Sequence, residues 1–225
     1  MARFDRWRGP APQIQPLVLP GRPALPRAGT LAAVIGLSGA ALLLTLTPRE
    51  ESGRTVKVAI APDGAATVQH LAGRQYLKVY RDIAGVPTAC DGITGQGIRL
   101  GQRYTEAECA GFLEHELVAH TAAMRACTPG LTPDQHSYPL VAAGLLAFNI
   151  GSAGYCRSTV ARRFNAGHIA GACDAFLAWN KARVNGVLRP VLGLTRRRQR
   201  EREICLTGLP GYPPATLPAR LERRW

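Results

Sequence analysis

From Ala28 to Pro48 the chain carries no charged residue, and the stretch from Leu31 to Leu46 is built only from Leu, Ala, Val, Ile, Gly, Ser and Thr. A helix of about 20 apolar residues crosses a bilayer, so this run must span a membrane, serve as a cleaved export signal or fill a soluble core. Residues 1–27 are rich in proline and carry Arg3, Arg6, Arg8, Arg22 and Arg27 against the single acid Asp5, a composition that builds no core and reads as disordered. Beyond the run the charges nearly balance in Arg49, Glu50, Glu51 and Arg54. The positive-inside tendency then leaves the N-terminus in the cytoplasm and the rest of the chain on the periplasmic side of an inner membrane. No Ala-x-Ala-type cleavage site follows Leu46. The expectation is a transmembrane helix over 28–48, a linker over 49–65, a folded domain over 66–209 and a tail over 210–225. Gly29, Gly36, Ser38 and Gly39 make the span weakly hydrophobic, so it leaves a bilayer more easily than a Leu-rich one.

The cysteines agree with export. Cys90, Cys109, Cys127, Cys156, Cys173 and Cys205 are even in number, form no CxxC pair and have no His at zinc-site spacing. Disulfides in an oxidising compartment fit better than metal, and neither metal nor cofactor is expected. Lys+Arg 28 against Asp+Glu 15 gives a formal net charge of +13, which favours an anionic partner: nucleic acid, an anionic membrane face or an acidic wall polymer. The basic run Arg196-Arg-Arg-Gln-Arg-Glu-Arg lacks stacking aromatics. Its interleaved acids put Arg197–Glu201 and Arg200–Glu203 at helical spacing, so it reads as a solvated helix rather than a nucleic-acid site.

The domain reads as α+β. Tyr80 to Tyr104 is dense in glycine and β-branched residues and suggests a small antiparallel sheet. Thr105-Glu-Ala-Glu is a capping box that opens a long helix towards Cys127. Pro133 opens a second helix ending near Gly151, followed by helices over about 157–165, 169–179 and 195–206. A cleft between a small sheet and a helical body suits an extended substrate. Glu114 and Glu116 on the long helix read as solvated charges.

The segment Tyr80-Arg-Asp-Ile-Ala-Gly-Val-Pro-Thr-Ala-Cys-Asp-Gly-Ile-Thr-Gly resembles the active-site hairpin of the phage-type lysozymes, glycoside hydrolase family 24 endolysins, with Asp82 and Thr88 at the places of the family's motif. Further matches follow in order: Leu-Gly-Gln-Arg-Tyr-Thr-Glu-Ala-Glu-Cys at 100–109, Ala-Phe-Asn-Ile-Gly at 147–151, Gly-Ala-Cys-Asp at 171–174 and Arg-Glu-Arg-Glu-Ile-Cys-Leu at 200–206. The resemblance implies a lysozyme-like fold, a monomer, and hydrolysis of the bond between N-acetylmuramic acid and N-acetylglucosamine in peptidoglycan, for host cell lysis. The weak N-terminal helix resembles that of the signal-arrest-release members. The same resemblance implies the disulfides Cys90–Cys109, Cys127–Cys156 and Cys173–Cys205.

The resemblance further implies a general-acid Glu followed by Gly about nine residues before Asp82, near the end of a helix. No acidic residue lies between Asp63 and Asp82, and Ala72 precedes Gly73 where Glu is expected. Asp82 suits the base that activates water, and the Thr88 hydroxyl can help hold that water. Two residues offer a replacement acid: Asp91, which brings a second carboxyl to the hairpin, and His70, just before the vacant position. The alternative is a catalytically inactive lysozyme-like protein that binds peptidoglycan without cutting it.

Overall fold

The computed structural model describes residues 26–82, 85–95, 97–184 and 186–212, so most of the basic N-terminal segment 1–27 and of the tail 210–225 lies outside the described residues. The charge-free run forms α1 (Leu31–Glu51), which continues three residues beyond Pro48. Thr30 caps it by accepting from the Ala33 N–H at 3.2 Å, and the Leu31 N–H donates to Glu114 Oε1 at 3.4 Å. Glu114 thus supports a helix N-terminus instead of standing free in solvent. An 18-residue window of α1 has mean hydropathy 1.9, long and apolar enough to cross a membrane, and 56% of that window is buried inside the protein. Leu31, Ile35, Leu43 and Leu44 expose no surface. Gly36, at φ 78°, breaks the helix where a Cβ would stand 3.3 Å from Pro133 Cβ. The Arg125 guanidinium donates to the Val34 carbonyl at 2.6 Å, a partner for a backbone acceptor beside the break.

An antiparallel ribbon follows, β1 (Thr55–Ile60) with β2 (Ala66–Ala72). The stretch 49–65, expected as a linker, therefore holds the last turn of α1 and a strand. Val56 and Val68 turn into the core that α1 occupies. The tip of the ribbon reaches the start of α1, where Asp63 pairs with Arg27 at 2.9 Å. At its base Gly73 adopts φ +91°, and a Cβ there would stand 2.7 Å from Arg54 Cα and 2.9 Å from the Gly53 carbonyl oxygen. The chain leaves α1 for the ribbon and returns at nearly the same point.

The sheet expected over 80–104 is smaller than its composition suggests: a hairpin of β3 (Tyr80–Arg81) and β4 (Pro87–Thr88), with isolated bridges Lys78–Arg103 and Ala89–Ile93. Glycines at 92, 95, 97 and 101, all with positive φ, interrupt any longer ladder. The helical body consists of α2 (Glu106–Cys127), α3 (Pro133–Ile150), α4 (Ser152–Cys156), α5 (Thr159–Asn165), α6 (Ile169–Ala175) with a 3-10 turn Phe176–Trp179, and α7 (Leu192–Leu206). Between that turn and α7 lies an exposed ribbon that helical periodicity did not reveal, β5 (Lys181–Val184) with β6 (Val187–Pro190). The capping box of α2 forms as read: Thr105 Oγ1 accepts from the Glu108 N–H at 3.2 Å and Glu108 Oε2 accepts from the Thr105 N–H at 2.7 Å. These bonds hold the Glu108 carboxyl below its ordinary range. Helix α3 is the hub. Residues Leu140 to Ala147 are buried on every face, as expected of a helix surrounded by others, and α1, α2 and α7 pack against it. The three implied disulfides, Cys90–Cys109, Cys127–Cys156 and Cys173–Cys205, are all formed.

Two substitutions test this architecture by thermal or urea unfolding. Thr105→Ala removes the cap of α2 and lowers stability by about 1 kcal/mol. Gly73→Ala forces a side chain into both a left-handed backbone and the Arg54 backbone, and lowers stability by roughly 2 kcal/mol or more.

Candidate active site

Asp82 stands at the mouth of the β3–β4 hairpin, half-buried. Its Oδ1 accepts the Val86 N–H at 2.8 Å and its own N–H donates to the Val86 carbonyl at 3.0 Å, which fixes the carboxylate against the turn. Across the ladder Tyr80 pairs with Thr88, whose buried hydroxyl donates to the Val86 carbonyl at 3.0 Å. The hairpin therefore gathers Asp82 and Thr88 at one turn. Beyond Thr88 the chain makes a bend at Cys90, at φ 55° the one non-glycine with positive φ among the described residues, anchored through Cys109 to the start of α2.

A carboxylate beside the segment that follows this hairpin is Glu51, the last residue of α1. A Cβ on Gly92 would stand 3.6 Å from Glu51 Oε2. Glu51 lines a cleft of about 220 Å³ together with Gly92, Ile93, Thr94, Glu116 and His120. On the cleft wall His120 Nδ1 lies 3.0 Å from Ser152 Oγ, and Glu116, read from sequence as a solvated charge, borders the same space. Burial first, then the negative fields of Tyr76, Asp82 and, last, Glu51, push the Tyr80 phenol up against the pull of Arg74.

Sequence spacing hides Glu51 because it stands 31 positions before Asp82. The β1–β2 ribbon is inserted between the end of the helix and the hairpin, and the meeting of Gly73 with Gly53 and Arg54 closes the gap in space. A trace survives in the sequence: Glu51-Ser-Gly53 at the end of the apolar run, and Gly-Arg repeated on either side of the ribbon as Gly53-Arg54 and Gly73-Arg74.

Helix α7 supplies the opposite charges. Arg197 Nη2 approaches Glu51 Oε1 at 2.8 Å, while its Nε donates to Glu201 Oε1 at 3.1 Å. Arg198 donates to the same Glu201 oxygen at 2.7 Å and to Asn149 Oδ1 at 3.1 Å. Arg200, expected beside Glu203, instead grips Glu50 with two bonds of 2.7 and 2.5 Å. Part of the basic run is therefore buried against the end of α1, not solvated as its composition suggested: Arg198 exposes no surface and Arg197 6%. Burial pushes the Glu201 carboxyl up to about 7, against the pull of Arg198 and Arg197.

The two replacement acids read from the sequence are placed otherwise. Asp91 is fully buried with both oxygens occupied, Oδ1 by Arg54 Nε and Ser52 Oγ at 2.7 Å each and Oδ2 by Arg54 Nη2 at 2.6 Å. A carboxylate enclosed in this way cannot reach a leaving oxygen. His70 lies on β2 opposite Val56, its N–H donating to Glu106, and is not among the residues lining the cleft. Substituting His70→Ala is expected to leave the lytic rate within about twofold of the parent, measured by turbidity loss of a cell-wall suspension.

Glu201 gives the site a pH-dependent support. Its carboxyl titrates near 4.5 when unfolded and near 7 when folded, so the folded protein binds the extra proton and stability falls as pH rises through that window. Unfolding midpoints are expected to drop between about pH 5 and about pH 8, and Glu201→Gln flattens the dependence.

Comparison with known proteins shows the family of this chain. The family model described as phage lysozyme matches residues 73–201. The SAR-endolysin of Enterobacteria phage P21 is 39% identical over 138 residues, covering 61% of this chain and 79% of that protein. The SAR-endolysin of Escherichia phage Mu is 36% identical over 141 residues, 59% of this chain and 79% of that one. Among solved structures, an endolysin from Escherichia coli O157:H7 phage FAHEc1 superposes with a TM-score of 0.58 at 24% identity, covering 76% of this chain and 94% of its own. The muramidase domain of SpmX from Asticaccaulis excentricus gives 0.57 at 24% identity, covering 77% and 97%. With more than half its length matched by the family model, this chain belongs to the phage lysozyme family.

Proposed function

We propose that the protein is an endolysin-type muramidase in which Glu51, Asp82 and Thr88 cleave the bond between N-acetylmuramic acid and N-acetylglucosamine in peptidoglycan. The observation that carries this reading is the Glu51 carboxylate at the end of α1, in a cleft lined by Gly92, Ile93 and Thr94 of the segment that follows the Asp82–Thr88 hairpin. In the first part of the step the Glu51 carboxyl gives its proton to the glycosidic oxygen as the bond from the anomeric carbon to that oxygen breaks. A water held by Asp82 and Thr88 adds its oxygen to the same carbon and passes a proton to Asp82. Asp82 then releases its proton to solvent, and Glu51 takes one up from solvent. The net reaction is addition of one water across the bond. Glu51 as the acid favours cleavage over the alternative of a lysozyme-like protein that binds peptidoglycan without cutting it.

The same residue ties activity to where α1 lies. Its position in the protein core and a position across a bilayer exclude each other, because Leu31, Ile35, Leu43 and Leu44 cannot face lipid and α3 together. With α1 in the membrane, Glu51 is held at the bilayer surface and the acid is missing from the site. Exit of the weakly apolar helix into the periplasm delivers Glu51. The SAR-endolysin names of the relatives support this anchored-then-released reading.

Release of reducing sugar from purified peptidoglycan tests the assignment. Glu51→Gln and Asp82→Asn each lower the rate by roughly 10²-fold or more, whereas Glu50→Gln, whose carboxyl is held by Arg200 away from the cleft, keeps the rate within about fivefold. Full activity in Glu51→Gln overturns it. Replacing four of the small residues of α1 by leucine is expected to keep the protein in the membrane fraction and to suppress lysis in the producing cell.

A further inference from the structure

The ion pair between Arg54 and Asp91 has no part in the chemistry so far. It is fully enclosed: Asp91 exposes no surface and Arg54 4%. Its two sides come from different pieces of the site. Ser52 and Arg54 belong to the turn directly after Glu51, and Asp91 lies three residues after Thr88 on the hairpin segment, beside the Cys90–Cys109 disulfide. Ser52 is bound in both directions, its N–H and hydroxyl reaching the Pro48 carbonyl of α1 at 3.0 and 2.9 Å and its hydroxyl reaching Asp91 at 2.7 Å. The neighbour on the other side of the contact is Gly92, on which a Cβ would stand 3.6 Å from Glu51 Oε2. Glu51 is thus bracketed: the residue after it is bound to Asp91, and the residue after Asp91 lines the same cleft as Glu51.

A buried ion pair adds little stability over apolar residues of similar size, so its value lies in the geometry it specifies. Fork-to-fork contact between a guanidinium and a carboxylate fixes distance and plane together. We infer that Asp91 is a positioning residue for Glu51, acting through Ser52 and Arg54 to fix the end of α1 against the hairpin so that the acid stands at a set place relative to Asp82 and Thr88. The inference rests on Glu51 being the general acid. A misplacement of about 1 Å at a reacting group costs on the order of 10²-fold in rate, and the only covalent route from Glu51 to Asp82 is the long detour through the β1–β2 ribbon. A non-covalent tie across that detour supplies the registration that a short loop would otherwise give.

The test uses the purified full-length protein and soluble peptidoglycan fragments, with kcat and KM measured separately. Asp91→Asn is expected to lower kcat by roughly 10- to 100-fold with KM within about twofold, and Ser52→Ala by a smaller factor in the same sense. The paired apolar replacement Asp91→Leu with Arg54→Met removes both charges together, keeps its melting temperature near the parent and still shows the low kcat. Adding Asp91→Asn to Glu51→Gln slows the enzyme no further than Glu51→Gln alone, because both act through one carboxyl. Parent kcat in Asp91→Asn and in the paired variant, or losses that multiply with Glu51→Gln, overturns the inference while leaving Glu51 as the acid. An undiminished kcat in Glu51→Gln overturns both readings.

Discussion

Burying α1 among α3, α2 and the β1–β2 ribbon removes Leu31, Ile35, Leu43 and Leu44 from water and at the same time delivers Glu51 to the hairpin. Against water, each such side chain contributes roughly 1.5–3 kcal/mol. Against lipid the comparison is different, because bilayer tails are as apolar as the protein core and leaving them gains little from hydrophobic burial. What favours the docked helix over the inserted one must therefore be close packing and polar ties that lipid cannot offer. The structure holds several: Arg125 to the Val34 carbonyl, Glu114 to the Leu31 N–H, Arg200 to Glu50, and Arg197 to Glu51. They fall at the break and at the two ends of α1, where an apolar helix has free backbone groups or charges to satisfy.

The charges at the C-terminal end of α1 form a compact network with α7, in which Arg197 serves two carboxylates, Glu51 and Glu201. This arrangement places a cation beside a residue proposed to carry a proton. The site balances that cation with Glu201 and Glu50, buried on the side away from the cleft, so that Arg197 is shared instead of committed to Glu51. The separate pairing of Arg54 with Asp91 neutralises the other nearby cation at its own partner. Glu51 is thus fixed by its backbone neighbours and, through Oε1, by Arg197, while Oε2 lies on the side of Gly92.

Much of this was legible in the sequence because local patterns survive in the fold. The capping box at Thr105 and Glu108, the helix opened by Pro133, the disulfide framework and the Asp82–Thr88 hairpin lie where their motifs put them. The illegible part depended on contacts remote in sequence. Arg200 stands one turn from Glu203, yet it binds Glu50, 150 positions away, because that end of α1 brings buried acids that need partners. Asp91 looked like a spare carboxyl until the turn after α1 was seen to close on it. The β5–β6 ribbon escaped because all four β6 residues are exposed and carry no strand alternation. Glu51 escaped for the plainest reason, that the β1–β2 ribbon stands between it and Asp82 in sequence while the ends of that ribbon meet at Gly53, Arg54 and Gly73.

That insertion also answers a difficulty created by α1 itself. A helix long and apolar enough to cross a membrane is apolar around most of its circumference, and when it packs against a helical body some apolar face is left over. The ribbon runs along α1 from the Gly53–Gly73 closure at one end to the Arg27–Asp63 pair at the other, and turns Val56 and Val68 inward onto the same core. Because its two ends meet, the insertion demands little rearrangement of the chain on either side, and loop length itself adds cost only slowly. The separation of Glu51 from Asp82 in sequence and the covering of the apolar helix in space are thus two consequences of one inserted ribbon. The polar tie at Asp91 sits at the point where that ribbon begins.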